Sequence, residues 1–206
     1  MENSRNASFM TRDRDRSIRV GVSACLIGER VRYDGGHKRT PLIADVLPRF
    51  LCLVPCCPEV GLGLGTPRNT LDLVEGTTGP RLVMTEHGKD YTQDMERWAS
   101  AKVEELKRQG LCGFILKSKS PSCALADARV LDHEGRPAGF HPGLFTAVLR
   151  RAHSGLPLID EVELRNPESL FIFLERVLDF ALHSRPSLEA ELWGETTRPG
   201  RGSTEP

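Results

Sequence analysis

The sequence predicts a single α/β domain in which helices flank a mainly parallel sheet. Three short apolar runs, each bounded by turn residues, have the length and composition of buried strands. Other segments carry apolar residues at the 3.6-residue spacing of helices. Strands that alternate with helices favour a parallel sheet, and 206 residues with 39% hydrophobic content are enough for one core.

The predicted strands are brief, and the first of them is rich in β-branched residues. They run from Ile18 to Ser23, from Phe50 to Val54 and from Gly113 to Leu116.

Predicted helices lie between these strands. Thr40 can cap a first helix with Pro41 at its first position, and Pro48 ends that helix. A second helix begins near Thr92 and ends at Gly110. Its expected buried residues are Met95, Trp98, Val103 and Leu106.

A third helix begins at Asn166 and Pro167 and is expected to pack on the sheet through an apolar stripe. The stripe consists of Leu170, Phe171, Leu174, Val177, Leu178, Ala181 and Leu182. The domain is expected to span residues 17–183, between flexible tails at 1–16 and 184–206 whose composition is polar and rich in turn residues.

Charge and hydropathy narrow the expected partners. Lys and Arg number 28 and Asp and Glu also number 28, so the chain has no overall positive field to hold a polyanion. No run of residues is long and apolar enough to span a membrane, and the first residues carry no apolar signal region. These features predict a cytoplasmic protein with a small-molecule partner and no membrane contact.

Three cysteines follow the three predicted strands. Cys25 comes just after the first strand, Cys57 just after the second and Cys123 after the third. Because the loops that leave the carboxyl ends of parallel strands converge on one crevice, these three thiols are expected to meet. With no signal for secretion, the six cysteines are expected to be reduced.

The spacing of these cysteines leaves their role open. Thiolates bind soft metals, namely zinc, copper(I) or iron–sulfur clusters. Zinc sites usually show paired local spacing, which is missing here, whereas a four-iron cluster accepts ligands from separate loops and would keep one iron open as a Lewis acid. A role as buried structural thiols is equally consistent with the spacing, and for Cys52 and Cys112 it is the expected one.

Longer motifs surround these cysteines. They are V-S-A-C-L-I-G followed by V-R-Y-D-G, then C-P-E-V-G-L-G-L-G-T-P-R, then G-F-I-L-K-S-K-S-P-S-C. In this order, over roughly residues 18–180, the chain resembles the TudS-like desulfidases, a bacterial family. The resemblance implies a Rossmann-like domain, an oxygen-sensitive [4Fe-4S] cluster on three cysteines, and removal of sulfur from thiolated pyrimidines such as 2-thiouracil or 4-thiouridine.

The resemblance also implies roles for single residues. Cys25, Cys57 and Cys123 match the cluster ligands, Glu59 matches the acid/base residue, and Ser120 matches a hydroxyl on the substrate side. The family pattern does not require Cys56. The chain departs from that pattern at Ala124, where glycine is usual, and in D-E-V-E-L near residue 160, where D-E-G-R-L is more typical.

Two further residues are candidates for substrate binding. Arg68 could meet an anionic group of the substrate, or it could form an ion pair with Glu59. Asp34 could contact the substrate or the residues around it, or it could form the turn that its neighbours favour. Lys117 is expected to be solvated.

The leading hypothesis is therefore a cluster-dependent, non-redox desulfidase that acts on a thiolated base or nucleoside. Thiolated tRNA is a further candidate, which the zero net charge does not favour. One rival is a nucleotide-binding or small-ligand module that uses the glycine loop of Gly61, Gly63 and Gly65 and has structural cysteines. The other rival is a zinc-dependent hydrolase with three cysteine ligands. The oligomeric state is left open.

Overall fold

The computed structural model describes residues 18–185. The two predicted tails lie outside these residues, except that Ser184 and Arg185 are described. The strands are β1 (Arg19–Ser23), β2 (Cys52–Cys56), β3 (Leu71–Val74), β4 (Arg81–Met84), β5 (Leu111–Leu116), β6 (Ala128–Leu131), β7 (Pro137–His141) and β8 (Leu158–Asp160). The helices are α1 (Pro58–Gly61), α2 (Thr92–Arg108), α3 (Leu144–Ala152) and α4 (Pro167–Ser184).

The first sheet is wholly parallel, with strand order β2-β1-β5-β8. It confirms the predicted α/β class, and its central strands β1 and β5 are almost completely buried. The second predicted strand is shifted, because Phe50 is 73% exposed and the strand begins only at Cys52. The third begins two residues earlier than predicted, since Leu111 and Cys112 are also buried.

A second sheet, which the sequence analysis did not predict, has the order β4-β3-β6-β7 and mixes parallel and antiparallel pairs. Its inner strand β3 buries only one face: Leu71 and Leu73 are buried, while the alternate residues Asp72 and Val74 are only partly covered. This alternation over four residues is too short to stand out in the sequence. The sheet matters here because the start of β3 borders the site described below.

Helices α2 and α4 confirm two of the three helix predictions. Helix α2 buries Met95, Val103 and Leu106 as expected, with Trp98 partly buried. Asn166 caps α4, because its side-chain oxygen accepts hydrogen bonds from the backbone N–H groups of Glu168 and Ser169. No helix within residues 18–185 has both the length and the apolar character needed to cross a membrane.

One position of the predicted α4 stripe is wrong. Phe171 is 61% exposed, whereas Phe173 is buried. Two residues correspond to about 200° around a helix, so these two rings point to opposite sides, and the buried face is centred on Phe173, Val177 and Ala181.

The segment after Thr40 also differs from its prediction. It forms one π-helical turn at Leu42–Val46 and one 3-10 turn at Leu47–Arg49, so Pro48 lies inside the second turn and does not end a helix. Proline is tolerated there because the first residues of a helical turn have no acceptor for an N–H group. The buried helix α3 was not predicted.

Candidate functional site

A cavity of about 430 Å³ lies at the carboxyl edge of the parallel sheet. Its walls include the residues that follow β1, β2 and β5, together with the start of β3. Cys25, Cys57 and Cys123 all line it. The order of strands and loops predicted that these three cysteines converge, and the structure brings them together.

Cys25 lies in the 3-10 turn Ala24–Ile27, directly after β1. Its carbonyl oxygen accepts a hydrogen bond from the backbone N–H of Lys38, which ties a second loop to this turn. Burial and the nearby Cys57 raise the pKa of the Cys25 thiol to about 11, while the charges of Lys117 and Arg32 partly oppose that shift.

Cys57 is the extended residue that joins β2 to α1. Its Sγ lies 3.8 Å from the carbonyl oxygen of Val31, and burial raises the pKa of its thiol. Part of Cys56 also reaches the cavity wall, but the charged neighbours of its thiol are Lys102 and Glu105 on α2. The two adjacent thiols therefore have different surroundings, as expected for neighbours on an extended chain.

Cys123 lies in a tight turn that several hydrogen bonds shape. The hydroxyl oxygen of Ser120 accepts hydrogen bonds from the backbone N–H groups of Ser122 (3.3 Å) and Cys123 (3.1 Å). Thr146 on α3 donates to the Cys123 carbonyl at 2.8 Å. Burial raises the pKa of the Cys123 thiol, and the nearby Cys57 and Cys25 add to this effect.

The arrangement of the three thiols suits a polynuclear cluster. Cys25, Cys57 and Cys123 come from three separate loops and line one cavity. Yet among residues 18–185 no three Cys, His, Asp or Glu side chains are grouped so that they could hold a single metal ion. A [4Fe-4S] cluster binds each thiolate through a different iron, so the donor set fits it.

Glu59 enters the cavity from α1, next to Cys57. Its Oε2 accepts hydrogen bonds from Nε (3.0 Å) and Nη2 of Arg68, and its Oε1 accepts one from Oγ of Ser122 at 3.0 Å. Arg68 also donates to the carbonyl oxygens of Gly65 (3.0 Å) and Val31 (2.9 Å). The ion pair with Glu59, one of the two roles considered for Arg68, is therefore present.

Residues 20–161, more than half of the chain, match the model of the family described as 2-thiouracil desulfurase. The chain belongs to this family. YbbK of Bacillus subtilis (strain 168), an uncharacterized protein, is 31% identical over 107 residues, which cover 50% of this chain and 70% of YbbK. A solved structure of the [4Fe-4S]-dependent thiouracil desulfidase TudS is 34% identical, with a TM-score of 0.60, and covers 75% of this chain and 96% of that one.

Asp34 is placed differently from the other predicted site residues of this 2-thiouracil desulfurase family member. It lies outside the cavity lining, with a side chain that is 47% exposed. Its Oδ1 accepts a hydrogen bond from the backbone N–H of Gly36 at 2.9 Å, which is the geometry of an Asx turn. The turn-forming role is the one the geometry supports, and a substrate contact from Asp34 has no support in its position.

Sequence reasoning missed a second ion pair at the cavity. Lys117, expected to be solvated, has a side chain only 17% exposed and pairs with Glu161 at 2.6 Å. Glu161 is 5% exposed and directly follows β8, the fourth parallel strand. The rule that drew attention to the cysteines, a reactive side chain after the carboxyl end of a strand, would also have found Glu161 if the three-residue β8 had been recognised.

Proposed function

We propose that this protein is a [4Fe-4S]-dependent desulfidase that removes sulfur from thiolated pyrimidines of the 2-thiouracil or 4-thiouridine class. The convergence of Cys25, Cys57 and Cys123 on one cavity is the observation that supports it most strongly. In this reaction a water oxygen replaces the sulfur on the ring carbon, so a C–S bond breaks and a C–O bond forms. The products are the oxo base and sulfide, and no electrons are gained or lost.

Cys25, Cys57 and Cys123 would hold the cluster. When bound, it would supply a Lewis acid for the sulfur of the substrate. All three thiols are buried enough for their pKa values to be raised, so they must lose their protons when iron binds.

Glu59 is the proton acceptor that we assign. Its Oε2 is engaged twice by Arg68, whereas Oε1 accepts one hydrogen bond among residues 18–185, so Oε1 retains a lone pair for a proton of the attacking water. Arg68 and Ser122 fix the carboxylate in the cavity wall, and this fixed geometry favours proton transfer at one defined atom.

Ser120 is the hydroxyl that we assign to the substrate side. Its oxygen accepts two backbone N–H groups, which leaves its own O–H as a donor, and the residue lines the cavity. We assign Arg68 to the Glu59 ion pair, so that it acts on the substrate through that carboxylate.

A free thiolated base or nucleoside is the substrate we propose, with thiolated tRNA as the alternative. The cavity volume of about 430 Å³ lies within the range typical of small-ligand sites. All six cysteines of the chain are unpaired, which supports the reducing cytoplasm as the compartment in which the protein works.

The test uses anaerobically reconstituted protein and compares three matched variants, Cys57→Ala, Cys56→Ala and Cys112→Ala. We expect about four irons per chain and sulfide release from thiouracil in the parent. Cys57→Ala should lose iron and activity, while the neighbouring Cys56→Ala and the buried Cys112→Ala should keep both. Iron analysis and a colorimetric sulfide assay measure these outcomes.

Several results would contradict the proposal. Full iron retention in Cys57→Ala with loss in Cys56→Ala would overturn the ligand assignment. Colourless parent protein with one zinc per chain would favour a zinc-dependent hydrolase. A metal-free parent that binds nucleotides and releases no sulfide would favour a small-ligand module with structural cysteines.

A further inference from the structure

A buried charge pair borders the cavity on the side of Cys25. Nζ of Lys117 lies 2.6 Å from Oε1 of Glu161, and both residues follow neighbouring parallel strands, β5 and β8. Ser118 completes the arrangement: its hydroxyl donates to Glu161 Oε1 at 2.7 Å and its backbone N–H donates to Oε2 at 2.7 Å. The role assigned to Glu59 does not involve these three residues.

The hydrogen bonds of Lys117 decide what kind of role it can have. An ammonium group has three N–H donors. Those of Lys117 have three acceptors within reach: Glu161 Oε1 at 2.6 Å, the carbonyl oxygen of Ser118 at 3.0 Å and the hydroxyl of Ser118 at 3.0 Å. With its donors occupied, Lys117 presents a fixed charge to the cavity and has no donor left for a substrate.

The orientation of the pair directs its positive end to the cavity. Lys117 and Ser118 line the cavity, whereas Glu161 lies behind them and does not. The backbone N–H of Lys117 donates to Oγ of Ser23 at 3.0 Å, which joins it to the end of β1, two residues before Cys25. Ser23, Cys25 and Lys117 all line the cavity, so the positive charge of Lys117 lies at the same wall as Cys25.

We propose that Lys117, held in place by Glu161 and Ser118, is a positioning residue whose fixed positive charge stabilises the thiolate ligands and the anionic cluster that they bind. The proposal rests on the cluster assignment made above. Residues that support metal ligands from behind typically change metal affinity by about 10- to 100-fold when they are replaced.

The test compares the midpoint reduction potential of the cluster in three proteins. Reduction adds negative charge, so removal of a nearby cation makes the potential more negative. Lys117→Gln keeps a donor for Glu161 but leaves its negative charge, and it should have the most negative potential. Lys117→Met/Glu161→Gln removes both charges and should lie between Lys117→Gln and the parent, because the cation is the nearer of the two.

Control variants distinguish an effect of the charge of Lys117 from an effect of its packing. Lys117→Arg retains the positive charge and should restore a potential close to that of the parent. Lys107→Met/Glu104→Gln removes a more exposed Lys–Glu pair from α2, outside the cavity, and should leave the potential unchanged. In the presence of an iron chelator, Lys117→Gln should release iron about ten times faster than the parent.

The outcomes distinguish this inference from the function on which it rests. A parent protein that takes up no cluster would contradict both the proposed desulfidase function and the role of Lys117. A parent with a full cluster whose potential and rate of iron release match those of Lys117→Gln and of the double variant would overturn the role of Lys117 alone. If Lys117→Gln does not fold, the reduction potentials of the double variant and of Lys117→Arg are compared. The double variant should then have the more negative potential.

Discussion

Two buried ion pairs border the same cavity, and members of opposite charge are the more exposed in the two pairs. In Arg68–Glu59 the carboxylate is the more exposed member at 16% and the guanidinium is 6% exposed. In Lys117–Glu161 the ammonium is the more exposed member at 17% and the carboxylate is 7% exposed. In each pair a serine hydroxyl donates to the glutamate, from Ser122 in the first and from Ser118 in the second.

The difference shows how one kind of interaction can serve two purposes. In the first pair both members line the cavity, and the more exposed carboxylate is the proton acceptor that we propose. The pair that turns its ammonium to the cavity presents a positive charge and holds it with an anion from behind. In both pairs the less exposed partner holds the more exposed partner in place through the ion pair.

The largest expected effect separates the two glutamates by activity. Glu59→Gln removes the proposed proton acceptor and should lower thiouracil turnover about 10²- to 10⁴-fold. Glu161→Gln should lower it far less, because Glu161 does not line the cavity. Ser120→Ala should have an intermediate cost of about 1–3 kcal/mol in the activation barrier. Turnover is compared in proteins with matched iron content.

Near-parental turnover in Glu59→Gln would remove this residue from the mechanism. Equal losses in Glu59→Gln and Glu161→Gln would show that the two pairs do not differ in function.

The next effect concerns stability. Glu161→Ala leaves the ammonium of Lys117 partly buried without its counter-ion and should lower the free energy of unfolding by about 3–5 kcal/mol. Asp90→Asn, which breaks the exposed Arg81–Asp90 pair, should change it by much less. Urea unfolding of the metal-free proteins measures both. Similar losses in the two variants would mean that burial of the Lys117–Glu161 pair does not matter.

The smallest expected effect is on the pH dependence of stability. Burial opposes ionisation of Glu161, but hydrogen bonds from Lys117 and Ser118 outweigh it and lower its pKa below the ordinary 4.5. Because the folded value is the lower one, the stabilisation is present above about pH 4.5 and is lost as the pH falls through the lowered value. Glu161→Gln should therefore show a flatter decline in acid than the parent.

Thermal unfolding midpoints across this acid range check the prediction. Asp90 and the other carboxylates with lowered pKa values remain in both proteins, so the difference between the two curves reports Glu161. Parallel curves would contradict it.

Much of the fold could be predicted because its central strands are buried on both faces. The apolar runs around Val20 and Ile115 are nearly continuous, and such runs are recognisable in a single sequence. The second sheet could not be recognised, since strands such as Leu71–Val74 bury one face over only four residues. Phe171 was misplaced because the stripe predicted on α4 was wider than the face that packs.

Part of the functional site could also be predicted from the sequence, and part could not. The convergence of Cys25, Cys57 and Cys123 could be predicted, because parallel strands bring their carboxyl ends to one edge. The partner of Lys117 could not, since Glu161 is 44 residues further along the chain. The ion pair of Glu59 with Arg68 was foreseen as an alternative and is present. Ser120 accepts the backbone hydrogen bonds of a turn. The substrate contacts of Glu59 and Ser120 stay predictions.

The sequence by itself determined which reactive side chains follow which strands, because strand order and the direction of a parallel sheet place those side chains at one edge. Only the tertiary structure decided which member of each ion pair is the more exposed. That difference depends on how deeply each loop packs: Glu59 on α1 and Arg68 both reach the cavity wall, with Glu59 the more exposed, while Glu161 lies behind Lys117. Depth in a packed loop follows from contacts between distant residues, which a local pattern does not contain.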